Sequence, residues 1–372
     1  MQIKFSPRFV ITPKIANGLM RIEAAKEKVV HLPLTAAVLS SLRETARLHT
    51  THYSTMIEGN RLDADQVEVV VKHEGHFPGR EHDEREVKAY YAAFDRVEQW
   101  VASQHPVTER VIQTLHALVM ANGRTKVTPT PYREGQNVIR DGKTGTIVYM
   151  PPEAKDVPGL MEGMIYWITK SKDIPRPLVA GIAHYQFATI HPYDDGNGRT
   201  ARLVTTLILH LSGYGLKWLY SLEEYYARDL GAYYDALTIG KSHNYYMGRA
   251  EADITKWVEY FIEGMAVAFE NVVRSKAAAE ATGSPDQGYL IRTLDYRQRK
   301  ALYLFQECET ITSHQIGELF GVKPRTSAQI CSAWVTSGFL EIADPSNKGR
   351  KYKLSKQYEA LGKWSCRHTQ TS

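Results

Sequence analysis

The sequence predicts a mainly α-helical protein of two or three domains, and three observations predict it. With 372 residues the chain exceeds one ordinary domain of about 150 residues. Apolar residues recur at helical spacing through most of its length, and β-branched alternation is confined to two short stretches. Its 43% hydrophobic and 23% charged residues are a globular balance that excludes disordered and fibrous classes.

The elements follow in order. Leu34 to Ile57 reads as one long amphipathic helix, with Val38, Leu42 and Leu48 near i, i+4 spacing and Gly59-Asn60 as a stop. Glu81 to Val101 carries Val87, Tyr91, Phe94 and Val97 on one stripe. Thr108 to Ala121 begins on an N-cap threonine and ends before Gly123. Residues 137–152, NVIRDGKTGTIVYMPP, place β-branched residues around Asp141-Gly142 and Thr144-Gly145, which is hairpin chemistry. Helices resume at Gly159 to Lys170, Leu178 to Ile190, and Gly198 to Ser212.

The small, polar run AAAEATGSPDQG (277–288) reads as a linker. Beyond it come a helix over Arg297 to Glu307, a short helix capped by Ser313 and reaching Phe320, and a third from Pro324 to Gly338. The hairpin FLEIADPSNKGRKYKL follows. Three helices and a hairpin of these lengths look like a winged helix-turn-helix over 289–365.

Charge divides at the same place. From Tyr289 onward there are 13 Lys and Arg against 7 Asp and Glu, a net +6, so the preceding 288 residues carry −1. Such a basic segment suits DNA phosphates as a partner, and a solvated basic surface explains it equally well. Lys323, Arg325, Thr326, Ser327 and Gln329 are placed at the start of the expected recognition helix, and Lys348, Arg350, Lys351 and Lys353 on the wing. Docking of a protein or of a second copy is the other use of such a module.

Cys308, Cys331 and Cys366 are widely spaced and form no zinc or disulfide pattern, which fits a reducing compartment. The longest apolar stretch, 203–211, is too short to span a bilayer. The opening MQIKFSPRFVITPK lacks the order of a secretory signal. A cytoplasmic protein with no membrane partner is the expectation.

The chemistry concentrates in His191-Pro192-Tyr193-Asp194-Asp195-Gly196-Asn197-Gly198-Arg199-Thr200-Ala201-Arg202. Pro192 forces His191 out of the preceding helix and onto a loop. The two glycines permit positive φ and inward-facing N–H groups, and the dipole of the next helix points at the same place. Arg199 and Arg202, three apart, share a helix face. An anion nest, a helix N-terminus and two guanidinium forks describe a polyphosphate site. Asp195 is placed to hold a hard cation such as Mg²⁺, and His191 is a natural general base. A metal-hydrolase reading of His191, Asp194, Asp195 and His184 leaves the glycines and arginines unexplained. Otherwise His184 and His210 are read as packing or hydrogen-bonding residues.

This run resembles the signature of the Fic (Fido) family, HPFx[D/E]GNGRxxR, with Tyr193 in place of Phe. The helices from Pro106 to Ala268 resemble the family's helical core, set here at 106–276 after an N-terminal helical region over 1–105. The resemblance implies a protein adenylyltransferase that moves AMP from ATP to a Ser, Thr or Tyr hydroxyl of a target protein, with Mg²⁺ as cofactor. It assigns His191 as base and Asp195 as metal ligand. Phosphate binding falls to Asp195, Gly196, Asn197, Gly198, Arg199, Thr200 and Arg202, with Arg199 at the β-phosphate and Arg202 at the γ-phosphate. Thr146, Ile147, Val148 and Tyr149 become the flap strand beside the nucleotide, its open edge aligning the target, and Tyr233 the adenine contact. Ser54 to Asn60 (STMIEGN) resembles the family's inhibitory motif [S/T]xxxE[G/N], which implies that Glu58 pairs with Arg202 where the γ-phosphate would sit. The same glutamate in some relatives positions water and removes AMP. Self-modification and a homodimer are further expectations of this layout. Transfer of UMP, phosphate or phosphocholine is a variant of the enzyme reading. A nucleotide-sensing, DNA-binding regulator is the alternative from another class.

Overall fold

The computed structural model describes residues 5–31, 36–73, 75–140, 144–240, 243–281, 290, 294–346 and 349–362. It is mainly helical and divides into two compact units, 1–273 and 274–372.

In the first unit α1 (Pro13–Val30) starts on an N-cap, with Thr12 accepting from the amide of Ile15 and Pro13 in the first turn. Next come α2 (Ala36–Ile57) and α3 (Ala64–Lys72), the latter opened by a capping box between Asp63 and Gln66. α4 (Glu81–Ala102) and α5 (Glu109–Val119) follow, with Thr108 as the N-cap of α5. A two-stranded antiparallel hairpin joins β1 (Ile139–Arg140) to β2 (Ile147–Tyr149). The Asp141-Gly142 pair of the expected turn lies outside the described residues. Then come α6 (Val157–Lys170), α7 (Arg176–Ile190), α8 (Asn197–Leu211), α9 (Leu222–Arg228), α10 (Leu230–Leu237) and α11 (Thr255–Ala281).

The pair α7 and α8 is the centre of this unit. Nearly every described side chain of α7 is buried, and α8 buries both apolar residues and its polar first turn. Helices that are apolar all round belong inside. α4, α5 and α6 pack against this pair, and α2 lies on α4 and α9. Trp257 of α11, fully buried, donates its indole N–H to the carbonyl of Gly181 at 2.7 Å. The large apolar core therefore closes around the one helix pair that carries the motif.

α1, α3, α9, α10 and α11 were not delimited from the sequence. Where α11 ends also differs from expectation. It runs to Ala281, five residues into the segment read as a linker, because AAAEA is composed of strong helix formers. Residues 282–288 lie outside the described residues.

The second unit has its own core, including Leu294, Phe305, Ile316, Cys331, Trp334, Phe339, Tyr352 and Leu354. Helices at Tyr296–Ala301 and Leu304–Glu307 replace the single expected helix. The helix Ser313–Phe320 is capped by Thr312 through a capping box with Gln315, so Ser313 is its first residue and not its cap. Gly321, at φ +63°, closes it, and Pro324–Thr336 follows. β3 (Ile311–Thr312) pairs with β5 (Lys351–Leu354), which pairs with β4 (Leu340–Asp344), all antiparallel. Among the described residues no helix is long and apolar enough to cross a membrane.

Candidate active site

The site grows from the junction of α7 and α8. Proline disfavours a helical residue before it, so α7 ends at Ile190 with His191 as its C-cap. The His191 amide still donates to the carbonyl of Phe187 at 2.9 Å, but the residue turns left-handed, at φ +51° and ψ +61°. A side chain in that region costs about 1 kcal/mol or more, and such residues cluster at functional sites. The imidazole Nδ1 lies 3.4 Å from the carbonyl of Ala188. With the ring proton facing that acceptor, Nε2 is left with its lone pair. Burial lowers the His191 pKa to about 4, so the ring is neutral at pH 7.

Residues distant in sequence hold this loop. Arg133, buried, donates to the carbonyls of His191 at 2.9 Å, Gly135 at 2.8 Å and Pro152 at 2.5 Å, and its amide donates to that of Pro192. One guanidinium thus ties the His191 loop to both ends of the hairpin segment. His116 of α5 stacks on Tyr193 with centroids 3.6 Å apart, and its Nε2 meets the carbonyl of Asp195 at 2.9 Å. The side chain of Asn197 closes the loop on itself, accepting from the Tyr193 amide and donating to the Tyr193 carbonyl.

Gly196, at φ +73°, precedes the first turn of α8. The Asp195 carboxylate, 69% exposed, accepts from the Gly196 amide at 2.6 Å and from Arg199 at 3.4 Å. The next amides of α8 belong to a helix N-terminus and have no intrahelical acceptor. Behind them the two arginines are almost wholly buried, and each meets a carboxylate distant in sequence. Arg202 donates to Glu58 at 2.8 Å and to both the hydroxyl and the carbonyl of Ser54. Burial works against its charge, but Glu58 together with Tyr233 and Tyr90 holds the guanidinium above its usual range. Arg199 donates to Glu86 of α4 at 2.6 Å.

The position of Glu58 is the most informative feature. A Cβ added to Gly198 would lie 2.1 Å from Glu58 Oε1 and 3.1 Å from Arg202 Nη1. The carboxylate therefore rests on the first turn of α8, where a helix N-terminus and a buried guanidinium both favour an anion. Only glycine at 198 leaves it that room.

The residues expected at the site fall into three groups. His191, Asp195, Gly196, Gly198, Arg199, Arg202 and Glu58 converge. Thr200 and the Asn197 side chain are buried in the packing of α8 and the loop, and the Thr200 amide donates to the Gly196 carbonyl at 3.0 Å. In the hairpin, Thr146, Ile147 and Val148 are exposed, whereas Tyr149 is buried and donates its hydroxyl to the Thr189 carbonyl at 2.8 Å. The Tyr149 side chain anchors the hairpin. Tyr233 is corrected. It is 2% exposed, stacks on Tyr226, and shares a 3.0 Å hydrogen bond with His184. No ring face is left for adenine, because helical periodicity turns Tyr233 inward and its neighbour outward. That neighbour, Tyr234, is 47% exposed and donates to the carbonyl of Ile57, next to Glu58.

His184 and His210 are packing residues, as expected. Burial lowers both to about 3. In the second unit Lys323, Arg325, Thr326, Gln329, Arg350 and Lys351 are exposed, and Lys353 pairs with Glu341 at 3.4 Å. Ser327 is not on that surface. It is fully buried and donates to the carbonyl of Pro324. Lys348 lies outside the described residues. Glu86, His116 and Arg133 escaped the sequence reading, because nothing local marks them and their partners are dozens of residues away.

Residues 106–209 match the Fic/DOC family. The protein adenylyltransferase fic-1 of Caenorhabditis briggsae is 27% identical over 201 residues, which is 53% of this chain and 38% of that protein. The protein adenylyltransferase Fic of Nematostella vectensis is 26% identical over 206 residues, 53% of this chain and 45% of that protein. The chain thus spans less than half the length of these curated relatives. A crystal structure of a Fic family protein from Desulfovibrio desulfuricans G20 superposes with a TM-score of 0.61 at 25% identity, covering 95% of this chain and 99% of that one. Fic-1 of C. elegans superposes with a TM-score of 0.57 at 22% identity over 73% of this chain and 74% of that one, a likeness of fold. Residues 106–209 are therefore a Fic domain, and the chain that carries them has the fold of a Fic-family protein.

Proposed function

We propose that this protein is an autoinhibited protein adenylyltransferase that transfers AMP from ATP to a hydroxyl of a target protein. The observation that carries this reading is the meeting of a neutral His191 with the α8 N-terminus and two buried arginines. The target hydroxyl oxygen bonds to the α-phosphorus and gives its proton to His191 Nε2. The bond from that phosphorus to the bridging oxygen breaks, and pyrophosphate leaves. Amides at the start of α8 hold phosphate oxygens as charge develops, and Arg199 and Arg202 carry the leaving group. The donor set suits Mg²⁺, since one exposed carboxylate, Asp195, stands beside the phosphate arginines and supplies a hard oxygen. The ion would neutralise phosphate charge there. The exposed edge at 146–148 suits alignment of an extended target segment by strand addition.

Glu58 is the brake. It occupies the guanidinium that a γ-phosphate needs, and two anions cannot share that place. Label transfer from α-labelled ATP with Mg²⁺ tests the reading in the parent, Glu58→Gly, and Glu58→Gly/His191→Ala proteins. Label in the chain itself or in added protein, strong only in Glu58→Gly, is the expected result. A Glu58→Gly protein no more active than the parent sinks the brake. Absence of label in every sample sinks the transferase. Incubation of labelled product with the parent tests the reverse reaction, in which Glu58 positions water and AMP is removed.

The second unit has a sheet-flanked helix whose start exposes Lys323, Arg325, Thr326 and Gln329. We read it as a winged helix that binds DNA phosphates, which would make the chain a nucleotide-responsive regulator as well. Retention of the full chain on duplex DNA at low salt, lost as salt rises, is the expected behaviour.

A further inference from the structure

Glu86 is the one carboxylate of α4 that reaches the motif, and both of its oxygens are engaged. Oε1 accepts from Arg199 Nη1 at 2.6 Å, and Oε2 accepts from Asn60 Nδ2 at 2.9 Å. Asn60 ends the brake motif and is itself buried and fixed. It also donates to the carbonyl of Asp83 and accepts from the amide of Leu62. Arg199 is 3% exposed, and a guanidinium at that depth needs a counter-charge. Its five N–H groups form a rigid planar fork, so fixing one edge fixes the direction of the rest. With Nη1 on Glu86, Nη2 points to Asp195 at 3.4 Å, and the buried Nε has no hydrogen-bond partner. A buried donor without an acceptor is expensive, and a ligand oxygen would satisfy it.

We propose that Glu86 is a positioning residue for the nucleotide site. It clamps one edge of Arg199 so that the remaining donors face the β-phosphate beside Asp195, and it links that arginine to the turn that ends the brake. The proposal rests on the nucleotide site assigned above. His82, Asp83 and Glu86 also bring ligand atoms within 4.8 Å of one another. Asp83 already meets Arg61 and Arg80, and Glu86 meets Arg199, so this acidic cluster is explained by its own cations.

The test is a titration of ADP and of AMP, each with Mg²⁺, onto the full chain in the Glu58→Gly background, with Glu86 intact, Glu86→Ala or Glu86→Gln. Loss of such a supporting contact costs about ten-fold in affinity elsewhere. ADP binding should weaken by about that factor in Glu86→Ala and by less in Glu86→Gln, which keeps an acceptor for Arg199. AMP binding, which lacks the β-phosphate, should not move. Equal losses for ADP and AMP would mean a merely structural role, and tighter ADP binding would make Glu86 a competitor of phosphate. Either result overturns the proposal, as does no change. If the Glu58→Gly protein binds ADP yet transfers no label from ATP, the transferase reading fails while the Glu86 result stands.

Discussion

The N-termini of α8 and of the helix Pro324–Thr336 both carry basic residues, and they differ in almost every physical respect. α8 carries Arg199 in its first turn and Arg202 a turn later, and both arginines are buried against carboxylates, Glu58 just past α2 and Glu86 of α4. The helix Pro324–Thr336 begins after Lys323 and carries Arg325, and both of these side chains are exposed. Both places are cationic. Burial makes the first pair a site, because a charge in low dielectric must be answered by an anion held in a defined place. Exposed charges at the second are screened by salt and suit a partner with many phosphates.

The largest expected effect tests whether the chemistry belongs to the first of these places alone. His191→Ala in the Glu58→Gly background should lower label transfer by about 10² to 10⁴. ADP binding should persist. A variant that still transfers would move the base elsewhere.

Acid should separate the two units next. Folding drives His184 and His210 from an ordinary 6.5 to about 3, and His191 to about 4. The unfolded chain then binds more protons below pH 6.5, so stability is fully present above that value and falls as pH drops toward 3. Each unit of depression corresponds to about 1.4 kcal/mol. Denaturant unfolding at pH 7 and pH 5 should show the first unit weakened. The second unit, which buries no histidine among its described residues, should change less. Equal responses would break the comparison.

Smaller effects sharpen it. Thr312→Ala removes the capping box of the helix Ser313–Phe320 and should cost the second unit about 1 kcal/mol, leaving label transfer by Glu58→Gly unchanged. Lys323→Ala/Arg325→Ala should shift the melting temperature least, since such surface changes stay within about 0.5 kcal/mol. If that face binds DNA, the slope of log affinity against log salt should fall by about 2.

Much of the site was legible because it is local. His191, Asp195, the two glycines and the two arginines fall within twelve consecutive positions. Backbone rules then dictate a loop, a nest and a helix start. Glu58 was legible only through a second motif far upstream, and its carboxylate lies 2.8 Å from Arg202. The hairpin was legible from its turn chemistry, but which of its residues face inward was not. Tyr149 buries itself because the Thr189 carbonyl waits at the end of α7.

What the sequence determined by itself is therefore the mainly helical class and the gathering of a histidine, two aspartates, two glycines and two arginines in the Fic motif. These follow from spacing along one chain segment, where covalent geometry alone sets the neighbours. What the tertiary structure decided is which groups answer them. Glu86 for Arg199, Arg133 for the His191 loop, His116 under Tyr193, and the inward turn of Tyr233 all depend on α4, α5, the hairpin and α10 packing around α7 and α8. Such pairings join residues dozens of positions apart. Their strength comes from burial, and burial exists only once the helices have packed.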